Sequence, residues 1–228
     1  MNTNIAYFIG VLHSDGSLYH YLFRNRVRHR FELFVGERSL PMLRKTRRII
    51  SSEFSRKLKI MDRGFVNSTE RMFSLQLSVT RLLPEFQMLG IDKSTRPLWL
   101  EDSRDLFCAY LAGVIDGDGD ITIRKGSHPR CRIRITAGEK LVELAKLVQH
   151  HLSCGCCIEP FWASTASLGR KNAELRRAYK HSFLLSPKNK SVVEYKLYPH
   201  LTLRHKKQKL LSYLKFLSEK EALASVTL

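Results

Sequence analysis

The chain has 228 residues, enough for one large domain or two small ones with a sizeable core, and 43% of them are hydrophobic. Lys plus Arg outnumber Asp plus Glu by 39 to 21, a net charge of +18 that points to a polyanionic partner, nucleic acid ahead of anionic membrane. No apolar run approaches the roughly 18 residues of a bilayer span, and the N-terminus lacks a secretory signal's basic and apolar regions. Five cysteines, an odd number, do not make a secreted disulfide framework, so an intracellular protein is expected, in a prokaryotic cytoplasm or nucleoid or in an organelle.

The first predicted element is a buried helix over 4–15, ending in Phe8-Ile9-Gly10-Val11-Leu12-His13-Ser14-Asp15-Gly16. Strands are predicted over 17–24 and 26–35. In the second, Val27, His29, Phe31, Leu33 and Val35 alternate with Arg26, Arg28, Arg30 and Glu32, the period of a strand with one buried and one solvated face. Gly36-Glu37 opens a helical stretch through about Leu58, followed by strands near 59–66 and 71–79 and a short helix ending at Leu89-Gly90. A linker, 91–103, is punctuated by Pro97.

The order then repeats. A helix over 104–118 ends in Leu111-Ala112-Gly113-Val114-Ile115-Asp116-Gly117-Asp118-Gly119, a stronger copy of the first motif. Its last Asp follows Asp15 by 103 residues (118 − 15), a little under half the chain. Strands over 120–125 and 130–137 follow, the second alternating Cys131, Ile133 and Ile135 with Arg130, Arg132 and Arg134. Gly138-Glu139 opens a helix through Leu152 and keeps the register of Gly36-Glu37, at 21 residues (139 − 118) against 22 (37 − 15) from the motif Asp. Strands near 155–163 and 178–185 flank a polar loop over 164–177, and helical segments occupy 189–222. Cys154, Cys156 and Cys157 lie near His150 and His151, but the spacing matches no zinc pattern. Reduced strand thiols are expected, with a disulfide through Cys131 or Cys108 left open.

The pattern predicts an α+β protein of two pseudo-symmetric α-β-β-α-β-β-α halves, 1–90 and 104–228. Helices on one face of each sheet leave the other face bare, and that face carries the arginine rows. A twisted antiparallel ribbon can enter the DNA major groove, where Arg reads guanine. Two equivalent arginine rows on so basic a chain favour groove binding over a merely solvated face. Ala6 and Gly10, like Ala109 and Gly113, are four apart, so each helix has a small-residue face on which a second helix can pack closely.

LAGVIDGDG and its partner FIGVLHSDG resemble the motif of the LAGLIDADG homing endonucleases, and the repeated element order extends the resemblance over about 4–215. The resemblance implies that the two motif helices pack side by side between the halves, with the antiparallel sheets forming a DNA-binding saddle. It makes the last acid of each motif, Asp15 and Asp118, a metal ligand. Two carboxylates held close repel, and a divalent cation relieves that cost. Mg²⁺ is expected, with Mn²⁺ as a substitute and Ca²⁺ able to bind without supporting cleavage. Asp116, whose counterpart is His13, reads as capping or structural. The family's basic residue near each metal maps onto Arg204, in Leu201-Thr202-Leu203-Arg204-His205-Lys206-Lys207-Gln208, and onto Lys93, in Gly90-Ile91-Asp92-Lys93-Ser94. One departure stands out: Val35 and Ala137 replace the Gln that many members carry at the end of the second strand.

DNA contacts are expected from Ser17, Tyr19, Tyr21, Arg26, Arg28, Arg30 and Glu32 in the first half. Asp120, Thr122, Arg124, Arg130, Arg132 and Arg134 are their counterparts in the second. The implied activity is metal-dependent cleavage of both strands at a long, non-palindromic site by a monomeric enzyme. Motifs beginning near residue 4 favour an intron-encoded protein. An RNA maturase acting on intron RNA, or a non-catalytic DNA-binding protein of the same fold, are the alternatives.

Overall fold

A computed structural model describes residues 1–65, 70–90, 97–124, 130–137, 143–164 and 175–226. The first half runs α1 (Thr3–Ser14), β1 (Gly16–Phe23), β2 (Arg26–Gly36), α2 (Leu40–Glu53), β3 (Ile60–Phe65), β4 (Arg71–Ser78) and α3 (Leu83–Met88). A four-residue helix, α4 (Trp99–Asp102), leads into the second half: α5 (Arg104–Asp118), β5 (Gly119–Arg124), β6 (Arg130–Ala137), α6 (Leu144–Leu152), β7 (Cys156–Ser164) and β8 (Leu175–Leu185). An irregular helical stretch over 187–200, containing α7 (Lys190–Val192), precedes the long α8 (Arg204–Val226).

Each half builds one antiparallel four-stranded sheet, and the two have the same order, β1-β2-β4-β3 and β5-β6-β8-β7. The predicted alternation sets what each sheet buries. Phe31, Leu33 and Val35 of β2 and Cys131, Ile133 and Ile135 of β6 are buried, while the arginines on the opposite faces stay at least partly accessible; Val27, expected on the buried side, is exposed near the hairpin turn. The β1–β2 register is fixed by a two-residue turn, in which Arg24 (φ 48°) and Asn25 (φ 55°) are both left-handed and Phe23 pairs with Arg26. Two left-handed residues match the twist of a tight hairpin. Asn tolerates that conformation, whereas Arg24 adopts it at a cost of about 1–2 kcal/mol.

The motif helices are capped as helices that must start at a defined place. Asn2 accepts from the Ile5 N–H at 2.9 Å and Ser103 accepts from the Leu106 N–H at 3.4 Å, each satisfying one otherwise orphaned donor. Behind the caps the helices are buried on nearly every side, Ala6 through Leu12 in α1 and Phe107 through Asp116 in α5.

Some boundaries differ from the sequence reading. The helix expected to reach Leu58 ends at Glu53, because Phe54 turns into the core and Ser55 takes a left-handed φ of 51°. The expected linker contains α4. The expected loop over 164–177 narrows from both sides, with β7 reaching Ser164 and β8 starting at Leu175. The predicted helix start at 138–142 lies outside the described residues. All five cysteines are free, Cys108, Cys131 and Cys154 buried, Cys156 half-buried and Cys157 exposed. Among the described residues no helix is long and apolar enough to cross a membrane.

Candidate active site and nucleic-acid interface

The site is built where α1 and α5 cross. A Cβ placed on Gly10 would lie 2.0 Å from the Tyr110 carbonyl oxygen, and one on Gly113 would lie 2.2 Å from that of Tyr7 and 3.1 Å from the Gly10 Cα. The two backbones therefore touch at the glycines, with buried Ala6 and Ala109 one turn before them. One turn further on, a Cβ on Gly117 would meet the Ser14 Oγ at 2.1 Å and the Asp15 Cγ at 3.3 Å. The Asp15 carboxyl is thus held beside the residue that immediately precedes Asp118. The expected convergence of the motif ends has this geometric basis.

Lys206 sits under that end. Its Nζ donates to the carbonyl oxygens of Ile115 (2.6 Å), Asp116 (2.8 Å) and Gly117 (3.2 Å), the last turn of α5. A helix C-terminus carries partial negative charge and orphaned carbonyls, so a cation there supplies both donors and charge. Burial pushes the Lys206 ammonium below the usual lysine range, and Asp116, Asp15, Asp118 and Asp120 pull it back up. One buried cation therefore balances both motif carboxylates. Sequence reasoning named Arg204, which is exposed at the first position of α8, and did not single out Lys206. The missed signal is the environment: an ammonium is buried only where several carbonyls and carboxylates meet. Lys93 lies outside the described residues.

The pair at the other acidic position is crossed between the helices. The Asp116 carboxylate, fully buried, accepts from the Tyr7 hydroxyl of α1 at 2.7 Å, and from the N–H groups of Thr202 (2.7 Å) and Leu203 (3.2 Å) ahead of α8. Burial pushes this carboxyl up, and Tyr7, the two N–H groups and Lys206 oppose that push. Its counterpart, His13, places Nδ1 3.1 Å from the Tyr110 hydroxyl of α5 and Nε2 3.3 Å from the Gly90 carbonyl oxygen. Tyr7 and Tyr110 share the 103-residue offset of the motifs (110 − 7), so the same crossed latch occurs twice. Where the second half presents N–H groups, the first presents a carbonyl. An imidazole with its proton on Nε2 donates to that carbonyl and accepts from Tyr110, which a carboxylate cannot do. Asp116 thus commits its buried oxygens to three donors within the chain.

The bare face of the first sheet holds every predicted contact of that half. Ser17, Tyr19, Tyr21, Arg26, Arg28, Arg30 and Glu32 share it, because Ser17 pairs with Glu32, Tyr19 with Arg30, Tyr21 with Arg28 and Phe23 with Arg26. Glu32 is a hub there, accepting from the Tyr19 hydroxyl at 3.2 Å and from the Gln76 amide, with Arg63 at 4.0 Å. Gln76 and Arg63 come from β4 and β3, strands for which no contacts were predicted. On the second sheet Asp120 pairs with Arg134, Thr122 with Arg132 and Arg124 with Arg130, again on one face. Asp120 is already engaged, by Lys209 of α8 at 3.3 Å and by the Thr122 hydroxyl at 3.0 Å. Val35 is buried on the opposite face with no polar atom to offer, and the side chain of Ala137 lies outside the described residues.

Two matching antiparallel sheets joined by crossed, glycine-contacting motif helices define the fold of the LAGLIDADG homing endonucleases. Solved structures of that class are similar over nearly the whole chain. A mutant of I-SmaMI is 16% identical with a TM-score of 0.54, covering 98% of this chain and 93% of its own. I-DmoI in complex with DNA and Ca is 19% identical with a TM-score of 0.59, covering 92% and 97%. The LAGLIDADG homing endonuclease I-GzeII in complex with its DNA target is 12% identical with a TM-score of 0.53, covering 96% and 92%. No family model matches the chain, and no curated protein matches it in sequence.

Proposed function

We propose that this chain is a site-specific DNA endonuclease that hydrolyses one phosphodiester in each strand of a long, non-palindromic duplex and requires a divalent cation, Mg²⁺ by preference. The observation that carries the reading is the meeting of Asp15 and the end of α5 at one place, above a buried ammonium that both motif carboxylates act upon. A protein that only bound DNA would have no use for two converging acids.

The donor set fits a hard cation. Among the described residues no cluster of three or more His, Cys, Asp or Glu side chains gathers, so the protein ligands would be the Asp15 and Asp118 carboxylates, with phosphate oxygens of the DNA beside them. When bound, the ion would activate water and neutralise charge developing at phosphorus. The chain's own residues do the positioning. The glycine contact sets the carboxylate separation, Lys206 fixes the end of α5, and Asp116 ties α8 to both motif helices through Tyr7, Thr202 and Leu203. Arg204, exposed at the start of α8, is the candidate cation for the scissile phosphate. Solved neighbours include complexes with DNA and with Ca or Mn, which supports a divalent-metal enzyme. The arginine faces would carry the duplex, and their differing sequences would make the bound site non-palindromic. Expression from within an intron and action as a monomer belong to the same proposal.

The test uses the full chain and a target selected from a randomised duplex library. Cleavage of both strands is expected with Mg²⁺ and not with chelator. Asp118→Asn should lose cleavage by at least about 100-fold while retaining or improving DNA affinity, since a negative charge facing phosphate is removed. Unchanged cutting by that variant would take Asp118 out of the site.

A further inference from the structure

The arginines of the two rows look alike in sequence, and one of them, Arg30, is held differently in the structure. In the first sheet the Arg30 Nη2 donates to the Tyr21 hydroxyl at 2.9 Å, and its guanidinium lies 4.8 Å from the centre of the Tyr21 ring. Tyr19 stands directly across the strand and is itself tied to Glu32 at 3.2 Å. Beside them, the Arg63 Nε donates to the Ser74 Oγ at 2.8 Å and the Gln76 amide donates to Glu32. The centre of this face is a connected network with each donor in a set place. The other arginines of the rows are otherwise, and on the first sheet Arg26 and Arg28 have no hydrogen-bond, ion-pair or ring partner among the described residues. Arg130 and Arg132 have no hydrogen-bond, ion-pair or ring partner among the described residues, and Arg134 feels only the pull of Asp120, which Lys209 already pairs.

We infer that Arg30 is a pre-set guanine reader, while the unpartnered arginines of the rows, Arg130, Arg132 and Arg134 among them, grip phosphates. The inference rests on the reading of the chain as a duplex-DNA binder and goes beyond it by dividing the work among the arginines. Guanine offers O6 and N7 to a two-pronged donor in the major groove, and the match is lost if the fork tilts. A guanidinium stacked on a ring and bonded at one nitrogen has little rotamer freedom left to lose on binding. Arg30 gives one N–H to Tyr21 and also leans on the Tyr19 hydroxyl, so three of its five N–H groups remain, more than the pair a guanine needs. A phosphate asks for charge near a broad arc of oxygens, and unpartnered arginines can follow it without a fixed geometry.

The experiment compares charge-preserving substitutions in the full chain. Duplexes are selected from a randomised library with the wild type in Ca²⁺, and affinities for the consensus and for single-base variants are measured over a range of salt. Arg30→Lys keeps the charge and loses the fork. It should bind the consensus roughly 10- to 100-fold more weakly, with discrimination at one G·C pair flattened and the salt slope unchanged. Tyr21→Phe keeps the ring and removes the hydroxyl, and should blunt the same base position while leaving the rest of the profile. Arg132→Ala should weaken all sequences equally and lower the salt slope by about 1. Arg30→Lys with an intact base profile, or Arg132→Lys flattening one position, would overturn the division of labour while leaving DNA binding in place. Failure of the wild type to enrich any sequence, with no salt-dependent binding, would overturn the underlying reading as well.

Discussion

Gly10→Ala isolates the contact on which the site depends. In a helix interior this change ordinarily stabilises by about 1 kcal/mol, because Ala is the better helix former. Here the new Cβ would lie 2.0 Å from the Tyr110 carbonyl oxygen and 3.0 Å from the Val114 nitrogen, both backbone atoms of α5. A carbon normally stops about 3.3 Å from a carbonyl oxygen, so the helices must part by roughly 1.3 Å at the crossing. A gap of that size removes a large part of the dispersion contact along the interface, and no side chain can rotate away to absorb it. Overpacking of this kind costs about 3 kcal/mol or more, which leaves a net loss near 2 kcal/mol after the propensity gain. Urea unfolding should show a lower midpoint with an unchanged slope. Gly155→Ala, where nothing lies within 4 Å of the added carbon, serves as the control and should stay within about 0.5 kcal/mol. Parting the helices also separates Asp15 from the end of α5, so cleavage should fall further than binding. A Gly10→Ala variant as stable as the wild type would refute the close crossing and, with it, the account of how the two carboxylates are brought together.

His13→Asp, which makes the first motif more like the second, should destabilise by about 1–3 kcal/mol in urea, because a carboxylate would face the Gly90 carbonyl oxygen. A gain in stability would show that the crossed latch is misread. Lys206→Met removes the donor to three carbonyls and the charge balancing two motif acids, and should cost about 3 kcal/mol; a loss below about 0.5 kcal/mol would make the ammonium dispensable. Lys45, which donates to the His200 carbonyl oxygen at 2.6 Å and lies over the Tyr7 ring, is pushed down to about 8 by burial. An unfolded lysine keeps its proton to about 10.4, so between these values the unfolded chain binds more protons and stability should rise with pH. Buried Cys108 and Cys131, each pushed up to about 12, act in the opposite sense, so the difference between wild type and Lys45→Met is the quantity to follow. A difference that is flat from pH 7.5 to about 10 would remove the buried charge from the account.

What the sequence disclosed was periodic. Alternation in β2 and β6 placed the arginines on one face, and small residues four apart marked the faces of α1 and α5, because those patterns depend only on backbone geometry. What it withheld depends on contacts between distant segments. Nothing near Lys206 in the chain says that Ile115, Asp116 and Gly117 will converge on it. In β4 the alternation of Phe73, Leu75 and Leu77 with Ser74, Gln76 and Ser78 marks the face of Gln76, but nothing in β3, irregular between Asp62 and Gly64, says that Arg63 will reach the face of Glu32. The one non-local signal that was available is the 103-residue offset, and applied to tyrosines it pairs Tyr7 with Tyr110 and so points to the crossed latch.

The offset also changes how the first motif should be understood. Judged as a string, FIGVLHSDG is a decayed copy. Judged as one half of a contact, its two polar departures each have a partner. His13 stands where an acid would be expected because its neighbour is the Gly90 carbonyl and not a pair of N–H groups. Ser14 stands opposite Gly117, and the 2.1 Å approach between the Ser14 Oγ and a Cβ at Gly117 shows that only one of these two equivalent positions can carry a side chain. Two serines would clash at the second of these positions, and a second acid at the first would set a carboxylate against the Gly90 carbonyl oxygen. The departures at His13 and Ser14 therefore follow their own contacts, while Asp15 and Asp118 are the same residue in both copies.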